Sequence, residues 1–389
     1  MSAGSTEAPP PRPANFDHRL AAATIDEEDW LCFRRLTSVE LNEAEKVQAA
    51  RPDRTDPAAD EFLAVHWHPE WAPLDLIDQR LRLAFPAAVR SLAIPTQHNR
   101  LMSFRGWAGV EADVYDRRYG LKVQLLIHFP AERLPKASAL TAMMDRTYNY
   151  RAHQLLDILK RLAEPDEVFG RVRRSLPYSV SQAALDMARF YAVRLLTLIE
   201  ESGIIGGPAD EMLKNRLLPD YLTAMESGRP VILDQALMLI KAVKKTVKAE
   251  LNPGEFHSPQ EVIEEARHLG GGVVIPHPPQ FWPMLLSDLD VDGWEVWNPS
   301  TPKHAIFLTE ALARANESRP GRRPLLAFMG DDTHMSAKFR LGLSDEKDSA
   351  GREIGFQDPW FDPAVKAALD RAGQSRRRTL TEYQERMGG

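Results

Sequence analysis

Short apolar runs that stop at a histidine or an acid recur along this chain, and they restrict its fold more than any other feature. They are EFLAVHWH at 61–68, SLAIPTQHN at 91–99, LKVQLLIHFP at 121–130, GGVVIPHPP at 271–279, DGWEVWNPS at 292–300 and PLLAFMGDDTH at 324–334. Runs of this length read as strands. Helical stretches lie between several of them, such as PLDLIDQRLRLAF and SPQEVIEEARHL, the second with Ser258 as N-cap and Pro259 at the first helical position. Strands alternating with helices imply an α/β fold of parallel βα units.

Residues 136–250 break that rhythm with helical periodicity and almost no strand pattern, and read as a large helical insertion. The predicted organisation is therefore a tail with helices over 1–60, a domain over 61–135 and 251–345, the insertion over 136–250, and a polar segment over 346–389. Within the first part, the Pro- and Ala-rich residues 1–15 are expected to be disordered.

Composition narrows the function classes. The 389 residues are 43% hydrophobic, enough for a sizeable core, and the net charge of −6 disfavours nucleic acid as a partner. Cys32, the single cysteine, excludes a multi-cysteine zinc site, so a metal would need histidine and carboxylate ligands. No apolar run is long enough for a membrane span, and the N-terminus lacks the order of a signal peptide, so a cytoplasmic location is expected.

The strand ends carry the chemistry. His66 and His68 stand two apart, which puts both imidazoles on one face of a strand as a chelating pair. Asp332 and His334 repeat that spacing. His98 and His277 follow apolar runs, and prolines after His277 fix its backbone. Glu111, inside an apolar strand pattern, needs a partner or a metal. His128 ends another run; Gln124 shares its face but lies about 13 Å back along the strand. Six of the eleven histidines thus fall at strand ends, where barrels of βα units gather their active sites.

The ordered set HWH, TQHN, GVE, IHFP, PHPP, DGWEVWN and GDDTH resembles the PHP (polymerase and histidinol phosphatase) superfamily over roughly 61–130 and 256–336. The resemblance implies a distorted (β/α)7 TIM-like barrel holding two or three divalent ions, of zinc, manganese or iron. It implies one ion on His66, His68, Glu111 and Asp332. A second would sit on Glu111, His128 and His277, and a third would draw on His98 and His334. Gln97 stands where the family has an aspartate, and Pro73 where it often has Asp or His, with Glu70 or Asp75 as substitutes. Many members have a histidine where Gln124 stands.

The implied activity is that of a metal-dependent hydrolase, a phosphoesterase whose ions make hydroxide available near neutral pH. The substrate would be a small phosphorylated molecule. Asp332 would orient the nucleophile, His334 or His98 would protonate the leaving group if the third ion is absent, and Arg100 and Arg105 would contact phosphate. Two other readings are open. The same centre could hydrolyse an amide, ester or lactone, with the tryptophans near the motifs shaping the pocket. Alternatively, a degenerate, non-catalytic chain could bind a partner through Lys241, Lys244, Lys245 and Lys248 on the insertion, a stripe that a solvated helix face also explains.

Overall fold

The structure, a computed structural model, describes residues 25–388 except 165, 177–179, 208 and 340–350. The segment 1–15 expected to be disordered lies outside the described residues. The chain divides into two units, 1–39 with 152–251 and 40–151 with 252–389.

The second unit holds every strand among the described residues. In chain order these are β1 (Glu61–Ala64), β2 (Trp67–His68), β3 (Arg90–Ala93), β4 (Met102–Phe104), β5 (Trp107–Asp116), β6 (Leu121–Pro130), β7 (Gly272–Ile275), β8 (Gly293–Trp297), β9 (Leu326–Met329) and β10 (Thr333–His334). The main sheet has the order β4-β5-β6-β7-β8-β9, while β1 pairs with β3 and β10 with β2. Leu63, Val110, Ile127, Val274 and Phe328 are completely buried in the core it forms.

One expectation needs correction. The units are not all parallel βα repeats: β4, β5, β6 and β7 pair antiparallel, and only β7-β8-β9, β1-β3 and β2-β10 run parallel. The physical reason is loop length. Between β5 and β6 lie only residues 117–120, ending in Gly120 at φ 64°, and so short a link joins antiparallel neighbours. Nor do the regular ladders close into a barrel; the strands make three separate sheets. The ladders break where Pro95 has no N–H to give and where Asn99 and Asp332 adopt φ of 51° and 47°. Isolated bonds cross these breaks: Thr96 N donates to Trp67 O at 2.9 Å, Asn99 N to Glu111 O at 2.8 Å and Asp332 N to His66 O at 2.8 Å.

The C-terminal segment is not simply a polar tail. In helix Arg376–Arg386, Leu380 and Tyr383 are buried, with Met387 just beyond it, and the arginines are paired, Arg377 Nε with Glu61 Oε2 at 2.8 Å. A Cβ at Gly272 would lie 2.4 Å from the Tyr383 ring, so the bare glycine is what admits that ring against β7.

The first unit is helical: Glu27–Thr37, Glu167–Ser175, Gln182–Ser202, Leu217–Met225 and Pro230–Ala249, with the end of the long helix Ser138–Ala163. Buried Asp29 ties three of these together, accepting from Tyr221 Oη at 2.5 Å and Arg194 Nη2 at 3.0 Å. Helix Pro230–Ala249 buries Leu233, Ala236, Leu239, Ile240, Val243 and Val247, and leaves Lys241, Lys245 and Lys248 exposed on another face. No helix among the described residues is long and apolar enough to cross a membrane.

Candidate metal centre

Seven of the eight strand-end residues predicted as ligands come together. His66 lies between β1 and β2, His68 ends β2, Glu111 is inside β5, His277 follows β7, and Asp332 and His334 follow β9. An isolated parallel bridge between His98 and Glu111 brings in His98. The separations share a narrow range. His66 Nε2 is 3.8 Å from Glu111 Oε1 and 3.6 Å from Asp332 Oδ1. His68 Nε2 is 3.7 Å from Glu111 Oε2 and 3.5 Å from Asp332 Oδ1, and His277 Nε2 is 3.5 Å from Glu111 Oε1. These gaps are too long for good hydrogen bonds. They suit donors sharing an ion: bonds of 2.1 Å at tetrahedral angles would hold neighbours about 3.4 Å apart.

The donors are also buried and unsatisfied. His66 Nε2, both nitrogens of His68 and both oxygens of Glu111 have no hydrogen-bond partner within the protein. His98 Nδ1 approaches Glu111 Oε2 to 2.6 Å, but without the alignment of a hydrogen bond. A buried cluster left in that state costs several kcal/mol unless something else fills it. Ring stacking adds a second grouping, in which His68 lies 4.4 Å from His98 and 4.3 Å from His334. Donor atoms of His68, His98 and His334 lie within 4.8 Å of one another, as do those of His66, His68 and Glu111.

The backbone is strained at the same place. Among the described residues, five non-glycines have positive φ, and four of them are at or beside the cluster: Glu70 (54°), Asn99 (51°), His277 (27°) and Asp332 (47°). Such conformations cost of order 1–3 kcal/mol each and persist where the surroundings enforce them.

Charge is polarised to match. Burial lowers the His66 pKa, but Glu295, Asp332 and Glu111 outweigh it and push the value up to about 10. Burial and then the neighbouring His334 and His98 push His68 down to about 3. Burial alone would raise Glu111, yet His98, His277 and His66 hold it well below the usual carboxylate range. Asp332 is lowered against the same penalty by His68, His66 and His334.

Two residues at the centre were not anticipated. Glu295 Oε1 lies 2.6 Å from His66 Nδ1, and its Oε2 accepts from His277 N at 2.8 Å and Asn298 Nδ2 at 3.0 Å. With Nδ1–H donated to Glu295, Nε2 of His66 faces the cluster. The signal was present, an acid inside the apolar strand GWEVW. Arg352 donates to Asp332 O at 2.7 Å and stands 3.4 Å from its Oδ2, twenty residues on with no motif to mark it.

Of the substitutes for Pro73, Glu70 is in the site and Asp75 is exposed on helix Leu74–Ala84. Glu70 Oε1 is 3.6 Å from His334 Nδ1, its Oε2 accepts from Ser336 N at 2.9 Å, and its N donates to Gln97 Oε1 at 2.9 Å. Gln97, where an aspartate was expected, thus fixes Glu70. Asp331 is turned away: buried, and pushed well up in pKa by that burial, it accepts from Gln357 Nε2 at 2.6 Å and Gly355 N at 3.0 Å.

The structure does not bring His128 to the cluster. It sits opposite Gly109 and Gly272, at the start of β7, whereas His277 follows that strand's end about 16 Å away. Its Nε2 lies 2.9 Å from Val65 O, which can only accept, so its Nδ1 accepts from Tyr383 Oη at 2.7 Å. Both nitrogens are used and no lone pair is left for an ion. The antiparallel direction of β6 causes this, because its C-terminal end points away from the centre. Arg105 is also elsewhere. It occupies the turn between β4 and β5, about 20 Å along β5 from Glu111, and pairs with Asp78 at 2.7 Å. Arg100 remains beside His98, its guanidinium 4.0 Å above the Tyr148 ring.

No family model and no curated protein matches this chain. Among solved structures it is similar to a Bifidobacterium adolescentis protein assigned provisionally as a metal-dependent phosphoesterase, with 19% identity over 81% of this chain and 98% of that one, at a TM-score of 0.41. It is also similar to an amidohydrolase from Chromobacterium violaceum, solved with sulfate and without metal, with 16% identity over 70% of this chain and 86% of that one, at a TM-score of 0.35.

Proposed function

We propose that this protein is a metal-dependent hydrolase of phosphate esters, with its reaction centre at the His66–His68–Glu111–Asp332 cluster. The observation that carries the proposal is the set of buried, unbonded nitrogens and oxygens facing one another at 3.5–3.8 Å. One divalent ion would be held by His66, His68, Glu111 and Asp332. A second would be held by His98 and His334 with Glu70. His277 and Glu111 alone would make a third position poor, because His128 is committed to Val65 and Tyr383. The donor set of imidazoles and carboxylates suits zinc, manganese or iron.

Ions bound there would supply a water-derived nucleophile at neutral pH and neutralise charge on phosphoryl oxygens. The chain's own residues orient the reaction. Glu295 holds the tautomer of His66, Arg352 holds the backbone and carboxylate of Asp332, and the side chain of Asp332 would position the attacking water. Where that second ion is absent, His334 or His98, each part exposed, would pass a proton to the leaving oxygen. On this reading the strands form an irregular barrel of the PHP kind, supported by the isolated bonds that bridge the three sheets.

The test is elemental analysis of purified protein together with a panel of phosphate esters, amides and lactones. More than one equivalent of metal is expected, with hydrolysis confined to the phosphate esters. The double substitution His66→Ala and His68→Ala should remove both metal and activity. Unchanged metal content in that variant would refute the proposal, and turnover of amides or lactones alone would replace its substrate class.

A further inference from the structure

Asp332 presents its two oxygens to different neighbours. Its Oδ1 faces His66, His68 and His334 at 3.5–3.7 Å, whereas its Oδ2 faces the Arg352 guanidinium at 3.4 Å. A single carboxylate therefore separates that guanidinium from the imidazoles of the centre. Among the described residues, Arg352 is the one arginine or lysine paired with Glu111, Glu295 or Asp332.

The segment that carries Arg352 is firmly anchored. Glu353, the next residue, is held by both edges of the buried Arg80 fork, Nε to Oε1 at 2.5 Å and Nη2 to Oε2 at 2.6 Å. Ile354 is completely buried. Gly355 N and Gln357 Nε2 donate to Asp331 at 3.0 and 2.6 Å. Beside these buried neighbours the Arg352 side chain is 19% exposed, so a solute can reach it.

Its guanidinium is only partly used. Nη1 alone serves Asp332: it donates to the backbone O at 2.7 Å, and its 3.4 Å approach to Oδ2 is too long for a good hydrogen bond. Nε and Nη2 have no hydrogen-bond partner among the described residues. Arg80, by contrast, commits that same edge to Glu353. Holding the Asp332 backbone needs one donor, which other side chains could supply. The Nε–Nη2 edge offers two parallel N–H groups, the arrangement that takes two oxygens of a phosphoryl group. Arg105, expected in that role, is paired with Asp78 instead.

We propose that Arg352 is a substrate-binding residue, whose Nε–Nη2 edge takes two phosphoryl oxygens of the substrate while Nη1 keeps Asp332 in place. The identity of the ligand as substrate rests on the hydrolase reading above; the capacity to bind an anion does not. Positive charge on those oxygens favours an anionic phosphate ester. A neutral amide or lactone would leave the edge without a charged partner.

The experiment is calorimetric titration of the full chain with inorganic phosphate, after loading with manganese and removal of the excess, with metal content read by elemental analysis. Wild type should bind phosphate. Arg352→Gln should keep its metal and bind phosphate at least about tenfold more weakly. Arg352→Lys, which keeps the charge and loses the fork, should keep its metal and bind about threefold more weakly. It decides the matter if far-UV circular dichroism shows the glutamine variant unfolded. Arg105→Gln, remote from the centre, should match wild type. The subsite is overturned by absence of phosphate binding in wild type, by wild-type affinity in either folded Arg352 variant, or by an equal loss in Arg105→Gln. Loss of metal from Arg352→Lys would also overturn it, since Arg352 would then only hold Asp332. The two readings fail separately. A protein that takes up no metal yet binds phosphate through Arg352 loses the hydrolase and keeps the anion site. A metalloenzyme that hydrolyses phosphate esters and keeps full phosphate affinity in the Arg352 variants does the reverse.

Discussion

At the scale of single residues, the geometry of the cluster depends on a glycine as much as on the side chains that would hold an ion. A Cβ on Gly330 would lie 2.0 Å from Glu295 Oε1 and 2.8 Å from its Oε2. Gly330→Ala must therefore push Glu295 away from His66. Outer partners of this kind are worth roughly 10- to 100-fold in metal affinity. Gly330→Ala and Glu295→Gln should each weaken metal binding by that factor in a competition titration with a chromophoric chelator, while far-UV circular dichroism stays native. Wild-type affinity in both would mean that Glu295 does not set the geometry of His66. The sequence revealed His66, His68, His98, Glu111, His277, Asp332 and His334, because strand alternation and strand ends restrict where such side chains can point. It did not reveal Glu295 as a partner, since an acid in a strand names no neighbour across the sheet. Arg352 was invisible for a plainer reason: its approach to Asp332 is set by tertiary path alone.

At the scale of elements, β6 shows where sequence reading fails. Its apolar run and its histidine were legible, but its direction was not, and direction decides which end of a strand faces the centre. The residue at its far end is a buried neutral imidazole that pins helix Arg376–Arg386 through Tyr383. That link has a pH signature. Burial, only partly offset by the bond to Val65 O, holds the folded pKa of His128 at about 3 against an ordinary 6.5. Between those values the unfolded chain takes up the proton and the folded chain does not. Stability from this group is therefore complete above about pH 6.5 and is lost as pH falls toward 3. From pH 6.5 to 4.5 the loss should be about 2 kcal/mol. Urea unfolding of metal-free protein should show that extra loss in wild type and not in His128→Asn. Equal losses would mean that His128 titrates normally. Tyr383→Phe strips the hydroxyl from the same link and should cost about 1–3 kcal/mol near neutral pH, read in the same unfolding curves.

At the scale of the whole molecule, the alternation of strands and helices identified an α/β unit and a helical segment. It could not show how the ladders end, because closure depends on backbone geometry at Pro95, Asn99 and Asp332 rather than on hydrophobic period. Those interruptions place strained backbone together with buried carboxylate oxygens and imidazole nitrogens that have no hydrogen-bond partner, an arrangement that opposes folding unless something bonds to them. The metal-free protein should therefore be less stable than the loaded one by an amount that follows mass action: about 2.7 kcal/mol when free metal is a hundredfold above its dissociation constant. Hydrogen exchange should place the added protection in the unit of residues 40–151 and 252–389, around His66–His68, His98, Glu111 and Asp332–His334. The separate helical unit contributes none of these donors and should gain little. The same metal should give His66→Ala, His68→Ala no comparable gain. If that variant is stabilised as strongly as wild type, the ion binds elsewhere and the unbonded cluster needs another explanation. If wild type gains protection only in the helical unit, the strained backbone at the strand ends is not where the ion binds.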